Sequence, residues 1–421
     1  MASHETYDPK SYTNVLAMTP RLQTKQLEAT ESLSTSMHGD ELVPNPQRPL
    51  KALFVITSMP VGGAETLLVN LLRKFRPSHI VPSVACLKEK GPLGEEIAKE
   101  FTLSEHWLKS KYDLRVLPAL ASHIRKEKID ALISVGAGDK MFWGRLAARF
   151  ASVPVICSAL HSTGWPDGVG RWNRWLTPFT DAFIAVAKPH GQFLVDFEKF
   201  PASKVAVIPN GVDTSRFHPN YESRSQVRKE LGLALDTPLV GIVAALRPEK
   251  NHALFLNAAN KVIVEIPRAH FVIVGDGPER TNIENTIAAL NLGKKVSLLG
   301  TRSDTPSLLA AMDVFALTSH NEASPVSILE ALSCGVPVVS TRVGSVAESV
   351  HDQRNGFTVE PGDVEALAER IKYLLQNKET AEMMGNIGRK HVQSNGSLEA
   401  MVRKYEHLIH SIFDRKTNRV Q

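Results

Sequence analysis

From residue 50 onward the chain alternates short apolar runs with stretches of helical period, and the alternation runs twice. The first series has apolar runs at 52–57, 81–87, 131–135, 153–159, 182–187 and 205–208. After Asn210-Gly211-Val212-Asp213 it restarts, with runs at 239–245, 270–274, 296–299, 314–318 and 336–340. Helical stretches fall between them, such as 65–75, which gathers Leu67, Leu68, Leu71, Leu72 and Phe75 on one side. A strand that is apolar along its whole length is buried on both faces, as happens in a parallel sheet covered by helices. Two such series in 421 residues predict an α/β chain of two doubly wound, Rossmann-like domains facing each other across a cleft. The expected limits are a disordered tail over 1–49, an N-terminal domain over 50–213, a C-terminal domain over 214–396 and a closing segment over 397–421. In that segment Leu398, Met401, Val402, Tyr405, Leu408, Ile409, Ile412 and Phe413 form a helical stripe.

Composition narrows the setting. With 43% hydrophobic and 22% charged residues the chain has an ordinary globular make-up. Its 49 Lys and Arg against 44 Asp and Glu leave a net charge of +5, which suits phosphate-bearing ligands or an anionic membrane surface and proves neither. Nothing points to nucleic acid. Cys86, Cys157 and Cys334 lie in apolar stretches without pair spacing, so they read as buried reduced thiols and point to the cytosol. No apolar run reaches the roughly 18 residues that span a bilayer. Residues 1–49 lack the apolar centre of a signal peptide and read as a disordered tail or as residues ahead of the true start. There is no D-x-D, no Cys/His cluster and no G-x-x-x-x-G-K-[ST], so neither a metal nor another cofactor is expected.

The segment Asn321-Glu322-Ala323-Ser324-Pro325-Val326-Ser327-Ile328-Leu329-Glu330 carries the chemistry. Pro325 suits the first position of a helix, and Gly335 before Val336-Pro337 ends it. Backbone N–H groups around Ser324 to Ser327 are then free to hold an anion. Carboxylates accept hydrogen bonds from hydroxyls rather than from phosphate, and Glu322 and Glu330 flank this anion site. A ligand with a sugar on each side of a phosphate group fits. Taken alone, the pair is equally an N-terminal Glu favoured by the helix dipole plus a solvated one.

The segment resembles the E-x-x-x-x-x-x-x-E motif of the retaining, nucleotide-sugar-dependent glycosyltransferases of family 4. The resemblance extends over about residues 50–415. It implies the GT-B architecture of two Rossmann-like domains, with the final helix crossing back over the interdomain crevice. It also implies transfer of a sugar from a nucleoside-diphosphate sugar to an acceptor hydroxyl with retention, in glycan, polysaccharide or glycolipid synthesis. Glu322 then holds sugar hydroxyls and Glu330 the ribose, while Ala323, Ser324, Pro325 and Val326 offer main chain to the diphosphate. The acceptor is a glycan or a lipid-linked molecule, and peripheral contact of a cytoplasmic protein with a membrane is compatible with it. Ala323-Ser324-Pro325 departs from the commoner Gly-Phe or Gly-Leu after the first Glu, which bears on the sugar accepted rather than on the reaction.

Other motifs fall into place beside it. Arg247-Pro248-Glu249-Lys250-Asn251 puts two cations at the C-terminal edge of the second sheet. By themselves they are solvated loop charges; the resemblance assigns Arg247 and Lys250 to the donor diphosphate, where a planar fork and a point charge stabilise the leaving group. Gly62-Gly63 closes the loop after the first strand, either as a plain tight turn or as the loop that faces the diphosphate. Gly275-Asp276-Gly277-Pro278 is not a dinucleotide fingerprint, because Arg280 stands in place of the third glycine, and the resemblance sets Gly277 in a turn beside the nucleotide. Arg302 stands in Gly300-Thr301-Arg302, which resembles the family's loop whose main chain reads the base. His161, after the run 153–159, is more often a structural histidine in such a place; the resemblance sets it near the sugar and the acceptor hydroxyl. Trp165, Arg171, Trp172, Arg174 and Trp175 could form a membrane-interface patch. The spacing of Trp172, Trp175, Leu176 and Phe179 instead favours one buried helix face. Two rivals remain: a nucleotide-sugar epimerase on the same scaffold and a non-catalytic nucleotide-sugar-binding protein.

Overall fold

Several of the strands expected to be apolar throughout are buried along their whole length, and the others along part of it. The computed structural model describes residues 46, 48–110, 113–161 and 170–418. Within them β1 (Leu50–Ile56), β2 (Ile80–Cys86), β3 (Leu103–Ser104), β4 (Ala131–Val135), β5 (Val155–Ala159), β6 (Ala182–Ala185) and β7 (Val205–Val207) form one parallel sheet. Its order is β3-β2-β1-β4-β5-β6-β7. Every residue of β4, β5 and β6 is buried, since helices cover both faces. A second parallel sheet has the order β10-β9-β8-β11-β12-β13. Its strands are β8 (Leu239–Val243), β9 (His270–Val274), β10 (Val296–Leu298), β11 (Val314–Leu317), β12 (Val338–Thr341) and β13 (Gly356–Val359). The two doubly wound sheets expected from the alternation are thus present.

Two strands carry no signal in the sequence, β3 and β13. The first has two residues, too few to show a period, and the second opens on Gly356 and includes Thr358. Both are edge strands, recruited by a neighbour rather than by their own composition. Arg48, inside the stretch expected to be a tail, pairs with Asp130 at 2.7 Å and lies over the Phe413 ring. The rest of 1–49, apart from residues 46 and 49, lies outside the described residues.

In each sheet the strand order reverses at one place, where loops on either side diverge and leave a crevice at the C-terminal ends of the strands. In the first sheet it lies between β1 and β4, and in the second between β8 and β11. The segment 210–213 joins the sheets, and the chain returns beside it: Val212 N–H donates to Gly396 O at 2.9 Å, and Leu398 N–H donates to Val212 O at 2.9 Å. The closing helix, Leu398–Thr417, then buries Leu398, Met401, Val402, Tyr405, Leu408, Ile409 and Ile412 in the core of the first sheet. Glu406 on this helix is fully buried and accepts from Arg76 N at 2.9 Å and Arg76 Nε at 2.8 Å. A buried carboxylate needs such partners to offset its lost hydration.

The buried helix face expected of Trp172, Trp175, Leu176 and Phe179 does not form. Trp172, Trp175 and Phe179 are 51%, 68% and 45% exposed, and Leu176 alone of the four is buried. The physical reason is local: the helix Gly170–Trp175 has six residues and gives way to a 3₁₀ turn at Thr177–Phe179. A 3.6-residue period holds only while the helix continues. The inward place goes to Asn173, whose backbone and side-chain oxygens accept from buried Arg145 at 2.8 and 2.6 Å. Trp165 lies outside the described residues.

Candidate functional site

The reversal of the second sheet brings two loops of opposite charge together. After β8, Leu246 is buried and takes a hydrogen bond partner in Asp276 O at 3.0 Å, which fixes the backbone just before Arg247. A 3₁₀ turn at Pro248–Lys250 follows, then Asn251, which caps the helix His252–Glu265. After β11 the chain runs through Thr318 to Glu322. The loops are pinned to each other: Thr318 donates its hydroxyl to Lys250 O at 3.1 Å and Asn251 O at 3.0 Å, and His320 N–H donates to Glu249 O at 2.8 Å.

On this frame Lys250 Nζ lies 2.5 Å from Glu322 Oε1, and Ser319 Oγ donates to the same oxygen at 2.6 Å. Glu322 is 7% exposed, so its charge is matched by a cation and a hydroxyl rather than by water. Its backbone is held from behind by Gly344, where a Cβ would stand 1.7 Å from Glu322 O, and no side chain fits there. Arg247 is unlike Lys250. Its side chain is 63% exposed, and the nearest carboxylate, Glu249, is 3.9 Å away.

The helix after Glu322 spans Val326–Ser333. Pro325 caps it in an extended conformation, one position earlier than expected, and makes no side-chain capping bond. The N-cap therefore offers no side-chain acceptor to the first N–H groups of the helix, the condition under which a helix start can take an anion. At the other end Gly335 N–H donates to Leu332 O at 2.9 Å and Val336 N–H to Ala331 O at 3.0 Å, the paired bonds of a glycine-terminated helix. Glu330 sits half-buried on this helix, and burial pushes its carboxyl up to about 7 against the pull of Arg216. It therefore titrates near neutral pH.

Gly277 and Arg302 play supporting parts. A Cβ at Gly277 would stand 2.5 Å from Leu246 O, so the glycine lets this turn pack under the Arg247 loop. The guanidinium of Arg302 is held by two carboxylates, Asp304 at 2.8 Å and Glu230 at 2.7 Å, and these hydrogen bonds raise its pKa further.

In the first sheet Gly62 caps the helix Gly63–Lys74. Packing requires neither glycine: a Cβ on Gly63 meets nothing within 4 Å, and one on Gly62 meets only the flexible end of Glu65. His161 follows β5 and borders a small cavity with Ala159, Leu67, Met401 and Tyr405. Burial first, then His190 and Lys140, lower its pKa to about 4, so the imidazole is neutral at neutral pH. The two sheets also touch near the site. Asn210 Nδ2 donates to Ser324 O at 3.1 Å, and Lys188 N–H donates to the Glu348 carboxylate at 3.1 Å. Ser319, Gly344 and Asn210 were not identified from the sequence: a serine or a glycine in a loop has no pattern, and Asn210 stood out only as part of the linker. Among the described residues no group of three or more His, Cys, Asp and Glu gathers in metal-binding geometry.

Known proteins resemble this chain. The sequence model described as Glycosyltransferase Family 4 matches residues 61–216, and that described as Glycosyl transferases group 1 matches residues 223–391. An Escherichia coli protein named UDP-Gal:alpha-D-GlcNAc-diphosphoundecaprenol alpha-1,3-galactosyltransferase is 31% identical over 277 residues, 63% of this chain and 71% of that protein. A GDP-mannose-dependent monoacylated alpha-(1-6)-phosphatidylinositol monomannoside mannosyltransferase of Corynebacterium glutamicum is 29% identical over 86% of this chain and 98% of its own. The crystal structure of HepE from Anabaena in complex with UDP superposes with a TM-score of 0.76 at 22% identity, covering 86% of this chain and all of that one. Two reversing sheets, a carboxylate pair around a helix N-terminus and these matches lead to one assignment: the chain belongs to the family 4, group 1 glycosyltransferases.

Proposed function

We propose that this glycosyltransferase takes a hexose from a nucleoside-diphosphate sugar and passes it, with retention, to a hydroxyl of a lipid-linked or polysaccharide acceptor. The observation that carries the reading is the Lys250–Glu322 pair beside the uncapped start of the helix Val326–Ser333. In the free protein the ammonium and the carboxylate satisfy each other. A bound donor separates them, its diphosphate taking Lys250 and its sugar hydroxyls taking Glu322. Arg247, exposed and loosely held, closes on the same diphosphate with the main chain of Ala323 to Val326. Glu330 faces the ribose, and the main chain at Gly300 to Arg302 lies beside the base.

The C-terminal domain thus holds the donor and the N-terminal domain the acceptor, with Gly62 and Gly63 next to the diphosphate and His161 at the acceptor side. In the reaction the bond from the anomeric carbon to the diphosphate oxygen breaks. A new bond to the acceptor oxygen forms on the same face, and the acceptor proton passes to the departing phosphate. A neutral His161 can hydrogen-bond the acceptor or the sugar without carrying charge into the cleft. The named relatives from Escherichia coli and Corynebacterium glutamicum, with a diphosphoundecaprenol and a phosphatidylinositol in their names, support a lipid-linked acceptor at a membrane surface. No helix among the described residues is long and apolar enough to cross a membrane.

The test is a panel of nucleoside-diphosphate sugars with released nucleoside diphosphate as the readout, followed by the anomeric configuration of the product. Transfer or slow hydrolysis of one donor with retention supports the reading. Conversion of the donor's sugar without release of nucleotide favours the epimerase, and tight binding without turnover of any donor favours a binding protein.

A further inference from the structure

Ser319 stands two residues past the end of β11, and its side chain is shut off from solvent. Its hydroxyl donates to Glu322 Oε1 at 2.6 Å. Lys250 Nζ lies 2.5 Å from that same oxygen, so both partners of the carboxylate converge on Oε1 rather than on Oε2. Ser319 is itself held from both sides. Thr341, the last residue of β12, donates its hydroxyl to Ser319 O at 2.6 Å. Thr318, just before it, ties the chain to Lys250 O and Asn251 O. Thr318, Ser319 and Thr341 are all fully buried, and a hydroxyl in such a place keeps its direction because water does not compete for it.

We propose that Ser319 is a positioning residue for the donor sugar: it fixes Glu322 Oε1, so that Oε2 is the oxygen left for the sugar hydroxyls. The inference rests on the donor-site reading above and deepens it. In that reading the diphosphate draws Lys250 away from Glu322, and the Ser319 hydroxyl is the partner that stays. The two partners differ in a way that suits this division. A lysine ammonium rides on a flexible four-carbon stem and can change partners, whereas a buried serine hydroxyl sits one bond from Cβ and stays where the backbone puts it. A carboxylate that has lost both is free to turn about its last torsion, and an oxygen turned away from the sugar no longer meets it in hydrogen-bonding geometry.

Calorimetric titration of the full chain tests this, with free nucleoside diphosphate and with the nucleoside-diphosphate sugar that binds best in the panel above. Ser319→Ala should weaken sugar-nucleotide binding roughly three- to tenfold, the worth of one hydroxyl hydrogen bond, and leave free nucleoside diphosphate within a factor of about two. In a Glu322→Ala background the same substitution should cost less than about twofold, because no carboxylate is left to aim. Thr341→Val, close in shape, releases Ser319 O and should show the same split at roughly two- to threefold. Ser340→Ala is the control for loss of a buried hydroxyl. Ser340 Oγ donates to Leu317 O at 3.0 Å, so this variant should unfold at lower temperature while sugar-nucleotide affinity stays at the parent level. Equal weakening of both ligands by Ser319→Ala, an undiminished effect in the Glu322→Ala background, or no effect at all would overturn the proposal and leave the donor site standing. Sugar-nucleotide binding by Glu322→Ala as tight as the parent's, or no binding of any donor to the parent, would overturn the donor-site reading and this inference with it.

Discussion

The loops after β8 and β10 each set an arginine at the C-terminal edge of the same sheet, and the two arginines are in opposite circumstances. Arg302 is held by two carboxylates, Glu230 and Asp304, which take four of its five N–H donors. Arg247 is 63% exposed with one carboxylate at 3.9 Å. The difference lies in what surrounds each loop. The helix Tyr221–Glu230 carries Glu230 to the β10 loop, whereas the loop facing Arg247 sends its carboxylate, Glu322, to Lys250. A cation after a strand is thus a ligand group or a structural tie according to which acidic residue the fold brings to it.

Substitution can break this contrast. Arg247→Ala should lower kcat/KM by roughly two to three orders of magnitude, because a contact to charge developing on a leaving group is worth about 2.7–4 kcal/mol. Thermal stability should change little, since the side chain is 63% exposed. Near-normal turnover of a confirmed donor would remove Arg247 from the site.

The next effect concerns Glu330. Its folded-state carboxyl lies near 7 against an ordinary 4.5, so the folded protein binds this proton more tightly than the unfolded chain does. Stability is therefore lost as pH rises through that window. Glu330→Gln removes the penalty. The variant should gain up to about 3 kcal/mol over the parent above the window and nothing below it. Urea unfolding on both sides of the window checks the sign, and a gain that is the same at both pH values would show that burial of the charge is not its cause.

Smaller still is the split between the two glutamates. Glu322→Gln should weaken donor binding while free nucleoside diphosphate binds nearly as before, and Glu330→Gln should weaken both ligands. Replacing a charge-assisted hydrogen bond with a neutral one costs roughly 1–2 kcal/mol, about five- to thirtyfold in affinity. Calorimetric titration of both variants with both ligands decides it: equal effects everywhere would mean that the two roles are not separate.

Arg302→Ala should show the least. Its pairs are partly exposed, so about 1 kcal/mol of stability is at stake. Turnover should stay within a factor of about two, because the proposed donor contact of this loop is through its main chain. A loss of activity as large as that of Arg247→Ala would erase the distinction between the two loops.

Much of this was legible in the chain itself. The two strand series follow from apolar runs that only a covered parallel sheet buries, and the reversal points follow from how such sheets are wound. The helix start after Glu322 is written in Pro325 and its end in Gly335. Those readings succeed because they depend on residues close in sequence. The failures share the opposite cause. β3 and β13 exist because a neighbouring strand offers hydrogen bonds, and Ser319 and Gly344 matter because the fold brings them to Glu322.

The stretch around Trp175 shows the limit most plainly. Its spacing is that of a buried helical face, and the helix stops before the period can act. By itself the sequence determined the sheet class, the two-fold repetition and the glutamate pair around a helix start, all set by local pattern and chain geometry. Tertiary structure alone decided which cation is free, which carboxyl is pushed toward 7 and which aromatic rings face water. Those properties depend on solvent access and on charges contributed from far along the chain, and neither is a function of residue spacing.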